Sequence, residues 1–300
     1  MIHPGKSLIP SHRREPNARP NTVPRVTTRT GGMPASVTVL VGTSGWQYRD
    51  WRGAFYPRDL AQRQWLDHYA ARFATVEINN SFYRLPPTER FAAWAATTPA
   101  DFTLCPKVSR YLSHMKKLRD PQEPVERFVT AVRGLGTKLG PVLLQLPGTF
   151  PQALNRLDAA LAEFPADVRV AVELRHPSWF TEDTRRLLTR RRAALCLADR
   201  GSVELTPPWR TTDWAYIRFH EGRGTWPCYG RTALASRARM LAERYGPSAE
   251  IYAFFNNDPR ACAVRDARWF AAACRRAGLV TTRVPAAGDV RLAEPRSTPG

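Results

Sequence analysis

The feature that most constrains the fold is an alternation of short β-rich runs with longer helical patterns, which begins at residue 37. The β-rich runs cover residues 37–41, 75–78, 102–107, 142–146, 169–174, 194–198, 214–219 and 251–255. The helical patterns cover residues 60–73, 88–97, 124–138, 152–164, 182–191, 232–244 and 261–277. Strands that alternate with helices predict right-handed βα units and a parallel sheet. Eight such units predict an α/β protein with a closed (β/α)₈ barrel, the TIM barrel, rather than an open doubly wound sheet.

The segments outside this alternation have a different composition. Residues 1–36 are rich in proline, arginine, threonine and asparagine and lack an apolar period, so they cannot bury enough surface to fold alone. We predict a disordered basic tail over 1–36, with Met33 as an alternative translation start. A single TIM-barrel domain is expected over 37–280 and a flexible C-terminal tail over 281–300. Residues 200–213 are too short and proline-rich for a helix, which predicts a loop or a single turn.

Polar residues collect at one end of one face of the predicted strands. In the fifth run, Glu173 and Arg175 share a face opposite Val172, because residues i and i+2 point the same way. The carboxyl ends of barrel strands carry the active site in this fold. An alternative is that these residues are solvated at strand edges, but a placement repeated in seven strands favours a site. Its strand residues are Glu77, Asn79, Lys107, Gln145, Glu173, Arg175, Asp199, Arg218, His220 and Asn256.

The segment "GTSGW" after the first strand raises the question of a serine nucleophile. A nucleophile elbow requires G-x-S-x-G, but the residue two positions after Ser44 is Trp46, so the motif is absent. We expect the two glycines to let the loop bend over the barrel mouth and Ser44 to donate a hydrogen bond. Trp46, Tyr48 and Trp51 would line the pocket there. Packing of the loop against the barrel rim is an equal alternative for each of these rings.

Seven segments in order resemble one family: "GTSGW", "VEINNSFYRLP", "CPKVSRYLSH", "LLQLP", "VELRHPSW", "YIRFHEG" and "FNN". Together they are similar to the YecE-like family, also called domain of unknown function 72, from Gly42 to about residue 273. The resemblance implies a TIM barrel without an established reaction. One departure is the glycine expected directly after His220, which comes one residue later at Gly222. The resemblance also implies a polar pocket formed by Glu77, Asn79, Lys107, His114, Gln145, Glu173, Arg175, His220 and Asn256.

The candidate site supports more than one chemistry. Glu77 and Glu173 could flank a substrate as acid and base, as in glycosidases. Alternatively each is paired, Glu173 with Arg175 or Lys107 and Glu77 with an amide, and we favour pairing of at least one. Lys107 could form a Schiff base if its pKa were lowered, but nearby carboxylates would oppose this. We therefore expect it to hold an anionic group together with Arg175 and Arg218.

A metal site and a cofactor are not predicted. Acidic residues and histidines at several strand ends would suffice as ligands for a divalent ion. However, no H-x-H or H-E-x-x-H spacing occurs, and Lys107 and the arginines would repel the ion. The ligand set considered consists of Glu77, Glu173, Asp199, His176 and His220.

The formal net charge of +19 has two explanations. Only five of the 45 basic residues are lysine, which favours an arginine-rich compositional bias over a nucleic-acid surface. We predict an enzyme, a hydrolase, lyase or isomerase, that acts on a small phosphate- or carboxylate-bearing, sugar-like ligand, with Glu77, Lys107, Glu173 and His220 as catalytic residues. The alternative is a nucleic-acid-binding or repair-type phosphodiesterase barrel, in which Trp46, Trp179 or Trp226 stacks on a base.

The five cysteines and the apolar runs bear on the compartment. The cysteines are widely spaced and form no C-x-x-C pair, which indicates neither a disulfide framework nor a zinc module. No apolar run reaches the length of a membrane span, and the N-terminus lacks the apolar stretch of a signal peptide. These features predict a cytoplasmic protein without a membrane partner.

Overall fold

Parallel strands and helices alternate along the chain in a computed structural model, which describes residues 37–200, 203–222 and 227–291. The tail predicted over 1–36 lies outside the described residues. The strands are β1 (Thr38–Thr43), β2 (Thr75–Ile78), β3 (Thr103–Pro106), β4 (Val142–Gln145), β5 (Val170–Glu173), β6 (Ala194–Arg200), β7 (Val203–Glu204), β8 (Ala215–Phe219), β9 (Glu250–Phe255) and β10 (Val280–Thr281). The α-helices are α1 (Trp65–Arg72), α2 (Asn80–Tyr83), α3 (Thr88–Thr97), α4 (Gln122–Val132), α5 (Leu154–Ala162), α6 (Glu182–Arg190), α7 (Arg231–Arg244) and α8 (Cys262–Arg276).

Local sequence explains where these elements begin and end. Helix α6, for example, starts after Thr181, whose hydroxyl accepts a hydrogen bond from the Thr184 amide. Its first turn carries Glu182 and Asp183 and its last turn Arg190, which complements the helix dipole. The short strand β2 has the sequence TVEI, in which β-branched residues favour an extended backbone.

The strands form a mostly parallel sheet in the order β10-β1-β9-β8-β6-β5-β4, with β2 and β3 as a separate parallel pair. Three isolated parallel bridges connect this pair to its neighbours. Ser44 pairs with Glu77 between β1 and β2, Lys107 pairs with Leu143 between β3 and β4, and Leu104 of β3 pairs with Leu139 just before β4. The fold is therefore α/β with a parallel sheet, as predicted, but the ladder of strand hydrogen bonds is not continuous around a closed circuit.

The strands are buried on both faces, as is usual for parallel sheets. Val39 and Val41 of β1 belong to the larger apolar cluster, which includes most helix residues that pack on the sheet. Leu40, between them, belongs to a smaller cluster with opposite parity. The other members of that cluster are Cys105, Leu143, Ala171, Ala194, Cys196, Trp214, Tyr216, Tyr252 and Phe254. Among the described residues, no helix is long and apolar enough to cross a membrane.

Two elements differ from the sequence prediction near the chain's end and in the 200–213 segment. Residues 203–204 form β7, which pairs antiparallel with β6, so this segment is not only a loop. Residues 281–291 contact the domain instead of forming a flexible tail. The amide of Thr282 donates to the Val39 carbonyl at 3.0 Å, and that of Arg291 donates to the Ala54 carbonyl at 2.8 Å. Residues 292–300 lie outside the described part.

The cysteine prediction is wrong for one pair. Cys228 and Cys262 form a disulfide, with their Cα atoms 4.9 Å apart and a sequence separation of 34. The spacing gave no signal because the fold, not a local motif, brings the segment after β8 to the start of α8. This disulfide removes the argument from the cysteines to a reducing compartment. Cys105, Cys196 and Cys274 are free and buried.

Candidate functional site

A buried arginine joins the two glutamates predicted at the strand ends. Arg218 of β8 is only 1% exposed. Its Nε and Nη2 atoms donate to the two carboxylate oxygens of Glu77 at 3.0 and 2.9 Å. Its Nη1 donates to Glu173 Oε2 at 2.6 Å. Tyr216, two residues earlier on the same strand face, donates its hydroxyl to Glu77 Oε2 at 2.7 Å. A single guanidinium therefore bridges strands β2 and β5.

Glu173 receives further donors on its other oxygen. Gln145 Nε2 and Arg175 Nε donate to Oε1 at 2.9 and 2.8 Å. His220 Nε2 lies 3.3 Å from the same oxygen, without hydrogen-bond alignment. Burial alone would raise the pKa of Glu173, but the charge of Arg218 outweighs it and holds that pKa well below its ordinary value. Burial lowers the pKa of His220, so its imidazole is neutral at pH 7.

This network decides between the two interpretations of the carboxylates. Both are paired, and their main partner is Arg218 rather than a lysine or an amide. The predicted pair of Glu173 with Arg175 is present as well. Hydrogen bonds occupy both oxygens of each carboxylate. Neither Glu77 nor Glu173 is therefore available as an unpaired acid and base flanking a substrate.

A cleft of about 670 Å³ lies above this network at the carboxyl ends of the strands. Its lining contains several of the predicted residues together with others that the sequence did not single out. The lining residues are Gly45, Trp46, Gln47, Tyr48, Asn79, Asn80, Phe82, Tyr83, Lys107, Arg110, His114, Gln145, Arg175, Arg218, Asn256 and Asp258.

Lys107 is placed in this cleft by backbone contacts at the end of β3. Its amide donates to the Ile78 carbonyl at 3.0 Å, and its carbonyl accepts from Ser81 Oγ at 2.6 Å. Its Nζ lies 4.1 Å from the centre of the Phe82 ring, a cation–π contact. Burial first, and then the charge of Arg218, lower the pKa of Lys107 to about 8.

The "GTSGW" loop is shaped by its backbone. A Cβ atom at Gly42 would lie 2.4 Å from the Thr75 carbonyl oxygen, so glycine lets β1 approach β2. Gly45 has a φ of +103°, a conformation that favours glycine. The Ser44 carbonyl accepts from Tyr48 OH at 2.5 Å and from Asn79 Nδ2 at 2.9 Å. The predicted hydrogen bond from the Ser44 side chain is absent, since Ser44 Oγ is buried without a partner among the described residues.

Asp258 is the acidic residue of the cleft that sequence reasoning missed. Its Oδ1 is buried and makes no hydrogen bond to the described residues. Burial raises the pKa of Asp258 to about 8, so the carboxyl is mostly protonated at pH 7. The residue follows the "FNN" segment directly, but only the burial of that loop, which the sequence does not show, distinguishes it from a surface aspartate. By contrast, burial and the charge of Lys107 lower the pKa of His114 to about 4, which leaves that imidazole neutral.

Two predicted site residues, Asp199 and Trp179, lie neither in the cleft lining nor in the hydrogen-bond network beneath it. Asp199 points to the helix side of β6, where its carboxylate accepts from Arg237 Nε at 2.8 Å and Tyr229 OH at 2.9 Å. Successive residues of a strand point to opposite faces, so Asp199 and Ala198 lie on different faces of β6. The face that carries Asp199 is the helix side and not the side of the site. Trp179 is fully buried and donates its indole NH to the Phe150 carbonyl at 2.8 Å, as a core residue.

The described residues also bear on the metal alternative. No three His, Cys, Asp or Glu side chains among them converge as a ligand set. Glu77 and Glu173 are turned toward a guanidinium cation, and Asp199 toward Arg237. His176 instead accepts the amide of Ser178 at 3.2 Å as the cap of a short helical turn.

Residues 40–288 match the family described as protein of unknown function DUF72. The chain belongs to the DUF72 family. This confirms the resemblance found in the sequence segments.

Among curated relatives, the chain is 36% identical to the UPF0759 protein YecE of Escherichia coli over 118 residues, 39% of this chain and 43% of YecE. It is 26% identical to the UPF0759 protein YunF of Bacillus subtilis over 153 residues, 48% of this chain and 52% of YunF. The chain thus spans about half the length of these curated relatives, or less.

Two solved DUF72 structures share the fold. A DUF72 protein from Thermotoga maritima is 31% identical, with a TM-score of 0.69 over 78% of this chain and 97% of that one. A DUF72 protein from Enterococcus faecalis is 20% identical, with a TM-score of 0.67 over 79% of this chain and 95% of that one. The agreement extends over nearly the whole of both solved chains.

Proposed function

We propose that this DUF72 protein is a (β/α)₈ barrel enzyme that binds a small phosphate- or carboxylate-bearing ligand in the cleft and transfers protons there. The observation that carries the proposal is the separation of charge. Arg218 pairs with the carboxylates of Glu77 and Glu173 below the cleft and Arg175 pairs with Glu173, while the amine of Lys107 lines the cleft without a carboxylate partner among the described residues. A cleft with this arrangement attracts anions.

Two observations support the barrel. The bridges Ser44–Glu77 and Lys107–Leu143 lie at the two gaps in the strand ladder. The smaller apolar cluster takes side chains of one parity from β1, β3, β4, β5, β6, β8 and β9, as expected for residues that point into a common interior. The cleft would then lie at the carboxyl end of the barrel, where enzymes of this fold place their active sites.

The charges that line the cleft favour an anionic ligand. Lys107, Arg110, Arg175 and Arg218 are its cationic residues, of which Arg175 and Arg218 are already paired with the glutamates beneath. Asp258 is the only acidic residue of the lining among the described residues. Because the pKa of Asp258 is raised to about 8, it contributes little negative charge at pH 7. Arginine side chains bind phosphate and carboxylate groups through paired hydrogen bonds.

The roles of Glu77 and Glu173 follow from their ion pairs with Arg218. Glu77 and Glu173 act as fixed counter-ions that position Arg218, rather than as the acid and base. Lys107 and Asp258 have pKa values of about 8, near the operating pH of many enzymes, and both line the cleft. We therefore assign proton transfer to this pair, since a general acid or base works best with a pKa close to the ambient pH.

The nucleic-acid alternative finds less support in the described residues. Trp46 is 3% exposed and packs edge-on against Trp94, and Trp179 lies in the core. Neither presents a ring face for base stacking. Trp226 lies outside the described residues.

The proposal is tested by thermal unfolding at increasing phosphate concentration. A ligand that binds only the folded chain stabilises it by about 2.7 kcal/mol at one hundred times its dissociation constant. We expect the wild type to show a saturable rise in Tm. Lys107→Met keeps the stem and removes the charge, so its Tm should not respond. Lys116→Met, which removes a surface lysine paired with Asp120, should respond like the wild type.

A Tm of the wild type that does not change with phosphate would contradict the proposal. So would an equal rise in wild type and Lys107→Met. Binding of phosphate and of duplex DNA, each measured at two potassium chloride concentrations, separates the small-anion class from the nucleic-acid class. A duplex that contacts many phosphates loses affinity steeply with salt, whereas a small anion neutralises few charges.

A further inference from the structure

The amine of Lys107 differs from the other described lysine amines in its surroundings. Its side chain is nearly buried and its Nζ faces the Phe82 ring in a cleft large enough for a small molecule. No carboxylate oxygen of the described residues lies within ion-pair distance of this Nζ. Lys116, in contrast, pairs with Asp120 at 3.3 Å, and Lys138 donates to two backbone carbonyls at 2.5 Å.

The carboxylates near Lys107 oppose a neutral amine, as the sequence suggested, but other effects outweigh them. Glu77 and Glu173 raise the pKa of Lys107, but burial and the charge of Arg218 lower it more, to about 8. Arg218 can do so because it lies between the two glutamates and pairs with both. At pH 8 roughly half of the molecules then hold a neutral amine, against fewer than about one in a hundred for a solvated lysine.

We propose that Lys107 is a covalent catalytic residue whose Nζ attacks a carbonyl carbon of the anionic ligand and forms an imine in the cleft. This inference rests on the proposed function, because Arg175 and Arg110, which line the same cleft, would hold the anionic group near the amine. It specifies the substrate class as an aldehyde or ketone that also carries a phosphate or carboxylate.

The step balances with groups that line the cleft. The amine lone pair forms the C–N bond while the carbonyl π electrons move to oxygen, and a proton passes from nitrogen to that oxygen, giving a carbinolamine. Protonated Asp258 supplies a proton as the hydroxyl leaves as water, so that a protonated C=N bond forms and Asp258 becomes a carboxylate. Addition of water reverses these steps and returns the proton to Asp258.

Pyridoxal 5′-phosphate is a suitable probe because it carries both an aldehyde and a phosphate. We would incubate the full chain with a limiting amount at pH 7.5, reduce any imine with sodium borohydride to a stable secondary amine, and locate the adduct by peptide mass spectrometry. The chain has only five lysines, so peptide mass spectrometry can assign the adduct to an individual lysine. We expect most of the adduct on Lys107, because its amine lines the cleft, whereas Lys116 pairs with Asp120 and Lys138 donates to backbone carbonyls. Excess inorganic phosphate should suppress the Lys107 adduct alone.

The pH dependence separates a reactive amine from an accessible one. The charged and titratable groups that interact with Lys107 are Glu77, Glu173, Arg175, Arg218 and His114. Asp258 lines the same cleft. Adduct formation at Lys107 should rise with pH and level off above about pH 8. Adduct formation at Lys107 that does not change with pH would indicate accessibility alone and would overturn the covalent role.

A conservative variant distinguishes failure of this inference from failure of the proposed function. Lys107→Arg keeps a cation but cannot form an imine, so it should retain the phosphate-dependent rise in Tm and lose the adduct. Adducts spread evenly over the lysines, or absent from Lys107, in a wild type that is stabilised by phosphate would overturn the covalent role and leave the anion site standing. A wild type without phosphate stabilisation would overturn the proposed function itself.

Discussion

At the scale of single residues, Arg218 determines what the two buried glutamates can do. It donates two hydrogen bonds to Glu77 and a third to Glu173, and all three are buried. A buried charge pair contributes little net stability, but removing one partner leaves an uncompensated charge in a poorly solvated place. The network is therefore a constraint on geometry, since it fixes β2, β5 and β8 relative to one another below the cleft.

Replacing Arg218 by methionine should lower the free energy of unfolding by about 3–5 kcal/mol at pH 8, because two carboxylates lose their shared cation. The pKa of Glu173 is depressed in the wild type, so its contribution to stability is present above the unfolded pKa and is lost as pH falls through the folded value. In Arg218→Met, burial instead raises the pKa of Glu173, and this variant should gain stability as pH falls toward 5. Urea unfolding at pH 8 and pH 5 measures both effects.

Arg175→Met is the matched control, because it also removes a cation bonded to Glu173 but one whose side chain is 37% exposed. Its cost should be at most about 1 kcal/mol. Equal losses in the two variants, or a loss in Arg218→Met that does not shrink at pH 5, would show that the network does not hold buried charges as described.

Much of this residue-scale picture was available from strand parity. The parity argument placed Glu77, Gln145, Glu173 and Arg218 on one face, and the structure hydrogen-bonds them to each other. It could not tell that Arg218 takes both carboxylates, because side-chain pairing across strands depends on register. Asp258 was missed for a related reason, since its raised pKa comes from burial by segments distant in sequence.

At the scale of elements, the long periodic segments were predicted well and the short ones were not. The pattern over 88–97 coincides with α3, and that over 182–191 differs from α6 by one residue. The four-residue helix α2 and the π-helical turn Tyr111–Met115 left no periodic signal. Such short elements are stabilised by tertiary contacts more than by their own sequence.

The junction of β1 and β2 tests the role assigned to Gly42. In the described residues these strands are joined by the single bridge between Ser44 and Glu77, and a Cβ at Gly42 would lie 2.4 Å from the Thr75 oxygen. Gly42→Ala should therefore lower the free energy of unfolding by on the order of 2 kcal/mol, because backbone must move to admit the methyl group. It should also weaken the phosphate-dependent rise in Tm, since Asn79, which donates to the Ser44 carbonyl, lines the cleft.

Gly246→Ala provides the comparison for that experiment. An added Cβ there meets nothing within 4 Å, and the residue is exposed. Its effect should stay within about 0.5 kcal/mol of zero. If Gly42→Ala were equally harmless in chemical denaturation, the close approach of β1 to β2 would not be what requires glycine.

At the scale of the whole molecule, composition was less informative than the order of segments. The order of seven short segments identified the family over most of the folded chain, which the match over residues 40–288 confirms. The net charge of +19 did not locate a site, because arginines are spread along the chain. The site is located by the contrast between the cations that line the cleft and the glutamate carboxylates that are paired with Arg218 beneath it. Only the tertiary structure shows that contrast.

The central claim, that this cleft is an anion site built around Lys107, is tested most directly by calorimetric titration with sulfate, whose charge stays constant between pH 6.5 and 9.5. We expect one site per chain at pH 6.5. Affinity should fall by about tenfold or more at pH 9.5, because Lys107, with a pKa of about 8, loses its charge and Asp258, also near 8, gains one. Lys107→Met should bind at neither pH. Absence of binding by the wild type at pH 6.5, or binding by Lys107→Met as tight as that of the wild type, would contradict the account.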